Sequence, residues 1–269
     1  DFWRWFRKIR PTLDGSRLLE LSDFHLSDGK WERLLQRELL EIEQWKFPDI
    51  LGRIRKEILK QIEELNQPNR PLILVSLGSG SMEIERQLIT KLRGQRSKQR
   101  IVFIGIDNSK ASIDIAKENL SKLSIKSLEV AGFNPDKLSE IKALADGEQY
   151  YVVHLLGDAL TSPDYFGPKG VDLVYHSKFK HHLAKAQKKV LEDNIVEVTD
   201  RAIENDDINS WLINAGTIKA NWYKPILLNA ALLSFLRDPT KEQLRSNNII
   251  GWHVKVFVDG YLRIFWVSR

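Results

Sequence analysis

Leu72-Ile73-Leu74-Val75-Ser76-Leu77-Gly78-Ser79-Gly80-Ser81, followed by Ile101-Val102-Phe103-Ile104-Gly105-Ile106-Asp107, decides the fold. Both runs open with near-continuous apolar residues, as a parallel strand covered on both faces requires. Between them a glycine-bearing turn leads into a helical pattern from Glu83 to Leu92. Strand, glycine turn, helix and a second strand ending in a carboxylate let backbone approach a nucleotide-like ligand while an acid waits for its hydroxyls. This pattern selects a ligand class and leaves the substrate open.

Toward the C-terminus, strands and helices keep alternating. Ser109 is placed to cap a helix carrying Ile113, Ile115, Ala116 and Leu120. Residues 124–148 read as a further polar and helical stretch. A third strand, Tyr150 to Leu156, precedes Gly157-Asp158-Ala159, and a fourth runs from Val171 to Tyr175. Next come a long helix over Lys185–Glu204, a short fifth strand over Ser210–Asn214 and a helix over Trp222–Leu236. Two period-2 runs, His253–Val258 and Tyr261–Ser268, flank Asp259-Gly260 and predict an antiparallel hairpin. The expected fold is α/β: a doubly wound, seven-stranded, mostly parallel sheet with a C-terminal antiparallel hairpin.

Toward the N-terminus the texture changes. Phe2, Trp3, Trp5, Phe6 and Ile9 alternate with Arg4, Arg7, Lys8 and Arg10, which predicts an amphipathic helix, packed on the main domain in preference to lying on a membrane surface. Trp31 to Trp45 is helical in pattern. After Pro48, Ile50, Leu51, Ile54, Ile58, Leu59, Ile62 and Leu65 recur every three or four residues, a second amphipathic helix. Asn66-Gln67-Pro68-Asn69-Arg70-Pro71 ends it. Residues 1–66 are therefore expected to form a helical extension, and 67–269 the binding domain.

Composition excludes several chemistries. None of the 269 residues is cysteine, so disulfides, thiolate catalysis and Cys-ligated zinc are ruled out. No apolar run reaches the roughly 18 residues of a membrane span. A cytoplasmic protein is expected. The chain opens at Asp1 rather than Met, which reads as trimming or excision from a longer polypeptide. The net charge of +5 is modest. Lys91, Arg93, Arg96, Lys98 and Arg100 crowd one segment, and Lys178, Lys180, Lys185, Lys188 and Lys189 another. Such clusters attract phosphate-bearing partners or are simply solvated surface, and the second reading is preferred.

The glycine turn narrows the ligand. The GxxxxGK[ST] spacing of a phosphate-cradling loop is absent. In a dinucleotide fingerprint GxGxxG the sixth position is small, whereas here it is Glu83, whose carboxylate opposes a pyrophosphate. An adenosine ligand without phosphate, bearing a sulfonium and an α-amino group, is left.

Residues 70–269 resemble the class I S-adenosylmethionine-dependent methyltransferases. The family's acid-x-Gly-x-Gly-x-Gly turn appears here in Ser76-Leu77-Gly78-Ser79-Gly80-Ser81, with serine in place of the acid and without the third glycine. The resemblance implies a Rossmann-like methyltransferase fold, S-adenosyl-L-methionine as cofactor and S-adenosyl-L-homocysteine as product. It implies cofactor contacts from Ser76, Gly78, Ser79 and Gly80. Glu83 either supplies the acid missing at position 76 or stabilises the first helical turn through the macrodipole. Asp107 matches the ribose-binding acid. Asp158-Ala159 matches the adenine-contacting pair, and Asn108 and Gly157 flank these positions.

After the fourth strand, Tyr175-His176-Ser177-Lys178-Phe179-Lys180-His181-His182-Leu183 resembles the segment that many small-molecule methyltransferases place beneath the methionine moiety and acceptor. His176 is expected to line the cofactor pocket. His181 matches a histidine that is a general base in some O-methyltransferases and a helix cap elsewhere. No metal is expected, because no acid stands among these histidines and the lysines oppose a dication. No Asn/Asp-Pro-Pro-Tyr/Phe motif follows this strand. The expected acceptor is a small-molecule hydroxyl or amine. The alternatives are an RNA or protein methyltransferase with a basic surface, or a non-catalytic cofactor-binding or interaction domain.

Overall fold

Alternate side chains of strand β1 (Leu72–Leu77) enter two separate cores. The computed structural model describes residues 50–65, 67, 69–95, 98–145, 147–177, 179–180, 183, 185–205, 253–256 and 263–266. The other strands are β2 (Ile101–Asp107), β3 (Lys126–Ala131), β4 (Tyr150–Leu156), β5 (Leu173–Ser177), β6 (Arg201–Asn205), β7 (His253–Val256) and β8 (Arg263–Trp266). The helices are α1 (Ile50–Leu65), α2 (Glu83–Gly94), α3 (Lys110–Ser121), α4 (Pro135–Leu144), α5 (Ser162–Phe166) and α6 (Lys185–Val198).

The sheet order is β3-β4-β2-β1-β5-β6-β8-β7. Strands β1 to β6 are parallel, β8 is antiparallel to β6, and β7 is antiparallel to β8. Leu72 and Leu74 join Ile54 and Ile58 of α1, Leu88 and Ile89 of α2, and Ala116 and Leu120 of α3 on one face. Ile73, Val75 and Leu77 join Leu138 and Ile141 of α4, Phe166 of α5, and Leu191 and Ile195 of α6 on the other. Helices therefore cover both faces, as a doubly wound sheet requires.

Eight strands are described; six answer to expected ones, and two, β3 and β6, were not expected. The first, β3, falls inside the stretch 124–148 that reads as polar and helical. It is an edge strand, and only Val130 of its six residues is buried. Lys126 and Glu129 keep that edge charged, which protects it from pairing with other chains and hides it from a hydrophobic pattern. The second difference is at α6, which stops at Val198 instead of running to Glu204. Lys169 Nζ takes the carbonyls of Val196 (2.6 Å) and Thr199 (2.8 Å). The backbone N–H groups of Lys169 and Val171 take those of Glu197 (2.9 Å) and Val198 (3.2 Å). These bonds satisfy the terminal carbonyls of the helix. Thr199 Oγ1 then accepts from the N–H of Arg201 at 3.1 Å, and β6 begins. The strand expected at Ser210–Asn214 and the helix at Trp222–Leu236 lie outside the described residues.

Helix α1, placed by the sequence in the N-terminal extension, shares the core of the sheet. Arg201 of β6 donates to Gln61 at 2.7 Å and to Glu64 at 2.9 Å on its surface. Residues 1–49 lie outside the described residues. No helix among those described is long and apolar enough to cross a membrane.

Candidate functional site

The glycine turn leaves the carboxyl end of β1 and returns into α2. Gly78 and Gly80 take φ values of 62° and 51°, in the left-handed region that suits glycine. Met82, the residue before α2, also has φ 52°. A bulky residue held there is backbone strain. The Ser79 N–H donates to the Ile106 carbonyl at 3.0 Å, and the Met82 N–H to the Ser79 carbonyl at 2.9 Å. The turn thus lies back over the end of β2.

Asp107 ends β2 and organises its neighbours. Its Oδ2 accepts from the Gly80 N–H at 2.8 Å and its Oδ1 from the Ser109 N–H at 2.9 Å. Its carbonyl accepts from the Gly157 N–H at 3.1 Å. One residue therefore joins the glycine turn, the start of α3 and the end of β4. A carboxylate offers about four lone-pair directions, so this anchoring is compatible with hydroxyl recognition. Ser109 caps α3 as the sequence predicts, its hydroxyl accepting from the Ser112 N–H at 3.2 Å. Asn108 is exposed beside Asp107.

At the end of β4, Asp158 Oδ1 accepts from the Leu160 N–H at 2.9 Å and caps a short 3-10 turn, Ala159–Thr161. The Asp158 N–H donates to the Tyr165 hydroxyl at 3.2 Å. A Cβ on Gly157 would stand 2.7 Å from that hydroxyl, so glycine is needed for Tyr165 to reach in. Asp158 is exposed and Ala159 is buried.

His176 is buried on β5, and its ring meets Phe179 edge-on at 6.1 Å. The Phe179 ring lies over Gly78, where a Cβ would come within 2.3 Å of it. The sheet thus brings together the turn, Asp107, Gly157-Asp158 and His176 at one rim, the carboxyl ends of neighbouring strands. His181 and His182 lie outside the described residues. Among those described, no group of three or more His, Cys, Asp or Glu could hold a metal ion.

Glu83 is engaged within its own helix. Its carboxylate takes two bonds from Arg86, at 2.6 and 2.7 Å, and another from Gln87. Burial opposes its ionisation, but these donors prevail and hold the carboxyl below its usual range.

Sequence reasoning missed four contributors. Glu85 of α2 is buried and accepts from the Tyr175 hydroxyl at 2.7 Å, with Ser76 adjoining both groups. Burial pushes the Glu85 carboxyl up against the lowering effect of these neighbours, and burial with the Glu85 charge pushes the Tyr175 phenol well up. Gly105 gives the turn room: a Cβ there would come within 2.8 Å of both Met82 Sδ and Ser79 Oγ. An isolated glycine inside a strand was the available signal. Phe179 is the third. Lys180 is the fourth, buried and paired with Glu192 and, at 3.2 Å, with Glu204.

No protein-family model and no curated protein matches the chain. Solved structures do. The plantazolicin methyltransferase BpumL, in complex with a triazolic desmethylPZN analog and SAH, superimposes with TM-score 0.55 at 10% identity, covering 87% of this chain and 91% of that one. The plantazolicin methyltransferase BamL gives 0.51 at 14% identity, covering 91% and 82%. A Methanococcus maripaludis protein described as an S-adenosyl-L-methionine-dependent methyltransferase gives 0.50 at 13% identity, covering 90% and 94%. The fold is that of the class I S-adenosylmethionine-dependent methyltransferases.

Proposed function

We propose that this chain is an S-adenosyl-L-methionine-dependent methyltransferase acting on a hydroxyl or amine of a small molecule, with S-adenosyl-L-homocysteine as product. The observation that carries the reading is Asp107, which ties the glycine turn, β4 and α3 into one rim. The residues present fit the cofactor: two left-handed glycines bare the backbone, Asp107 suits ribose hydroxyls, and the turn from Leu77 to Met82 has no basic side chain to hold a phosphate. Bound there, the cofactor supplies a methyl group activated by a sulfonium.

Ser76, Gly78, Ser79 and Gly80 would shape the methionine side of the site. Asp107 and Asn108 would serve the ribose, Gly157, Asp158 and Ala159 the adenine, and His176 the pocket wall. Glu83, held by Arg86 and Gln87, is set aside as a direct contact. Methyl transfer rests on positioning more than on acid-base chemistry. For a hydroxyl acceptor, His181 is the general base. On this reading residues 1–66 are a helical extension to the binding domain 67–269, its α1 built into the core of the sheet, and the protein is cytoplasmic.

A small acceptor is preferred because one basic cluster is in part internal or paired. Lys180 is internal, and Lys189 is paired with Asp193 at 2.6 Å. The BpumL complex, which holds a triazolic desmethylPZN analog beside SAH, also supports it. Calorimetry should find saturable binding of S-adenosyl-L-methionine, weakened about tenfold or more by Asp107→Ala, a loss of about 1.4 kcal/mol. Folded protein that binds none overturns the reading. RNA binding that weakens steeply with salt would favour an RNA acceptor instead. His181→Asn should lower kcat and leave cofactor affinity unchanged.

A further inference from the structure

Position 76, where the glycine turn leaves β1, carries a hydroxyl where the resemblance expects an acid. The fold brings an acid to that place from another element. Glu85, in the first turn of α2, is 1% exposed, Ser76 5% and Tyr175 1%. Ser76 and Tyr175 are register partners on β1 and β5. The Glu85 carboxyl accepts the Tyr175 hydroxyl at 2.7 Å, and Ser76 adjoins both groups. The turn is the loop between these tethered points, leaving β1 at Leu77 and re-entering at Glu83.

Tyr175 belongs to the apolar core that also holds Leu74, Leu88, Ile89 and Leu173. A carboxyl in such company costs desolvation that an apolar side chain would avoid, so packing alone does not account for it. Glu83, two residues earlier, is committed to Arg86 and Gln87. Resting on the methyltransferase reading, we propose that Glu85 is a positioning residue that supplies from α2 the carboxyl missing at Ser76, and so fixes the glycine turn that receives the cofactor. A carboxylate accepts from two hydroxyl donors at once. A glutamine amide offers one acceptor atom and sets its NH2 against the second donor.

The test uses Glu85→Gln, Glu85→Asp and the exchange Ser76→Glu with Glu85→Ser, which conserves total side-chain size and returns the acid to β1. S-adenosyl-L-methionine affinity and amide hydrogen exchange are measured on each folded protein. Glu85→Gln should weaken binding about tenfold. Glu85→Asp should lose less, and the exchange should restore affinity to within about threefold of the starting protein. Amides of Ser79, Gly80 and Met82 should exchange faster in Glu85→Gln, while those of the β2–β4 ladder stay protected. Unchanged binding and unchanged exchange in Glu85→Gln, or faster exchange everywhere alike, overturns the proposal. So does a folded exchange variant that binds no better than Glu85→Gln. If that variant does not fold, the Gln and Asp variants decide. Should the starting protein bind no cofactor while Glu85→Gln still loosens only the turn, the methyltransferase reading fails and the positioning role stands.

Discussion

Two buried polar clusters support the rim, one on each face of the sheet, and they are satisfied in opposite ways. Beneath the glycine turn, Tyr175 of β5 donates to Glu85 of α2 beside Ser76 of β1, with no basic side chain among the three. On the other face, Lys180 is held by Glu192 and Glu204, joining the segment after β5 to α6 and β6. The first cluster lies among regular elements already packed by apolar contact. The second anchors an irregular segment, the one carrying Phe179 over Gly78. Hydrogen bonds suffice where the backbone is fixed by its ladders. A free segment at the rim is held by charge, whose cost of burial makes the anchor all-or-none.

The sharpest way to break that contrast is Lys180→Met. It removes the ammonium beside Glu204, whose side chain is only 5% exposed. Breaking one partner of a buried pair costs about 3–5 kcal/mol, which urea unfolding would read as a lower midpoint at unchanged slope. Adding Glu204→Gln should recover much of the loss, because the uncompensated charge goes with it. A loss under about 1 kcal/mol for Lys180→Met would place this pair among ordinary surface bridges and end the comparison.

His154 sharpens it from the other side. It lies on β4, on the face that holds Ser76, with Gly105 and Glu129 as its strand partners. It is buried, and neither ring nitrogen has a hydrogen-bond partner. Burial, with Lys117 and Lys110 acting against Glu129, pushes its imidazole down to about 4. The folded pKa therefore lies below the unfolded one, about 6.5. Above that pH both states are neutral and nothing changes. As pH falls toward 4, the unfolded chain takes up a proton that the folded one refuses. Stability then drops by about 1.4 kcal/mol per pH unit, on the order of 3 kcal/mol in all, and levels off below. His154→Leu should remove that part of the acid sensitivity in parallel urea titrations. An identical pH profile in the variant would mean that His154 finds a partner on acidification.

What was legible in the sequence follows how local the cause is. Strands β1, β2, β4 and β5 are covered on both faces and read as apolar runs. Edge strand β3 is paired on one side only, and its charges mask it. The end of α6 depends on Lys169, which is far from it in sequence, so helical pattern alone ran on through Arg201-Ala202-Ile203-Glu204. At the rim, Gly78, Gly80 and Asp107 were legible because turn and strand end are each coded within a few residues. Glu85 was not, since by itself it is one more acid in a first helical turn. Only the β1–β5 register, by setting Tyr175 beside Ser76, shows what Glu85 meets.

Tyr175→Phe removes one donor from Glu85 and keeps the ring. Leaving a buried acceptor short of a bond costs about 1–3 kcal/mol, less than the loss of the Lys180 charge. That order of effects is the comparison in numerical form. If urea unfolding finds Tyr175→Phe the more costly, the cluster beneath the turn is the stronger anchor and the contrast reverses.

The smallest effect separates two acids two residues apart. Glu83 is partly exposed and pairs with Arg86 three residues on, an arrangement worth about 0.2–0.5 kcal/mol on a helix surface. Its place in the first turn of α2 adds about 0.3–1 kcal/mol through the helix dipole. Glu83→Gln should therefore cost about 1 kcal/mol or less in thermal or urea unfolding. Cofactor affinity should stay within about twofold, because the Glu83 carboxylate is taken up by Arg86 and Gln87. Glu85→Gln, with the same loss of charge two residues along the helix, should weaken binding about tenfold. Net charge, helix propensity and distance from the turn are nearly matched between the two variants. A difference between them then isolates the buried contacts of Glu85 with β1 and β5, and equal losses would return the role to the field of first-turn acids as a group.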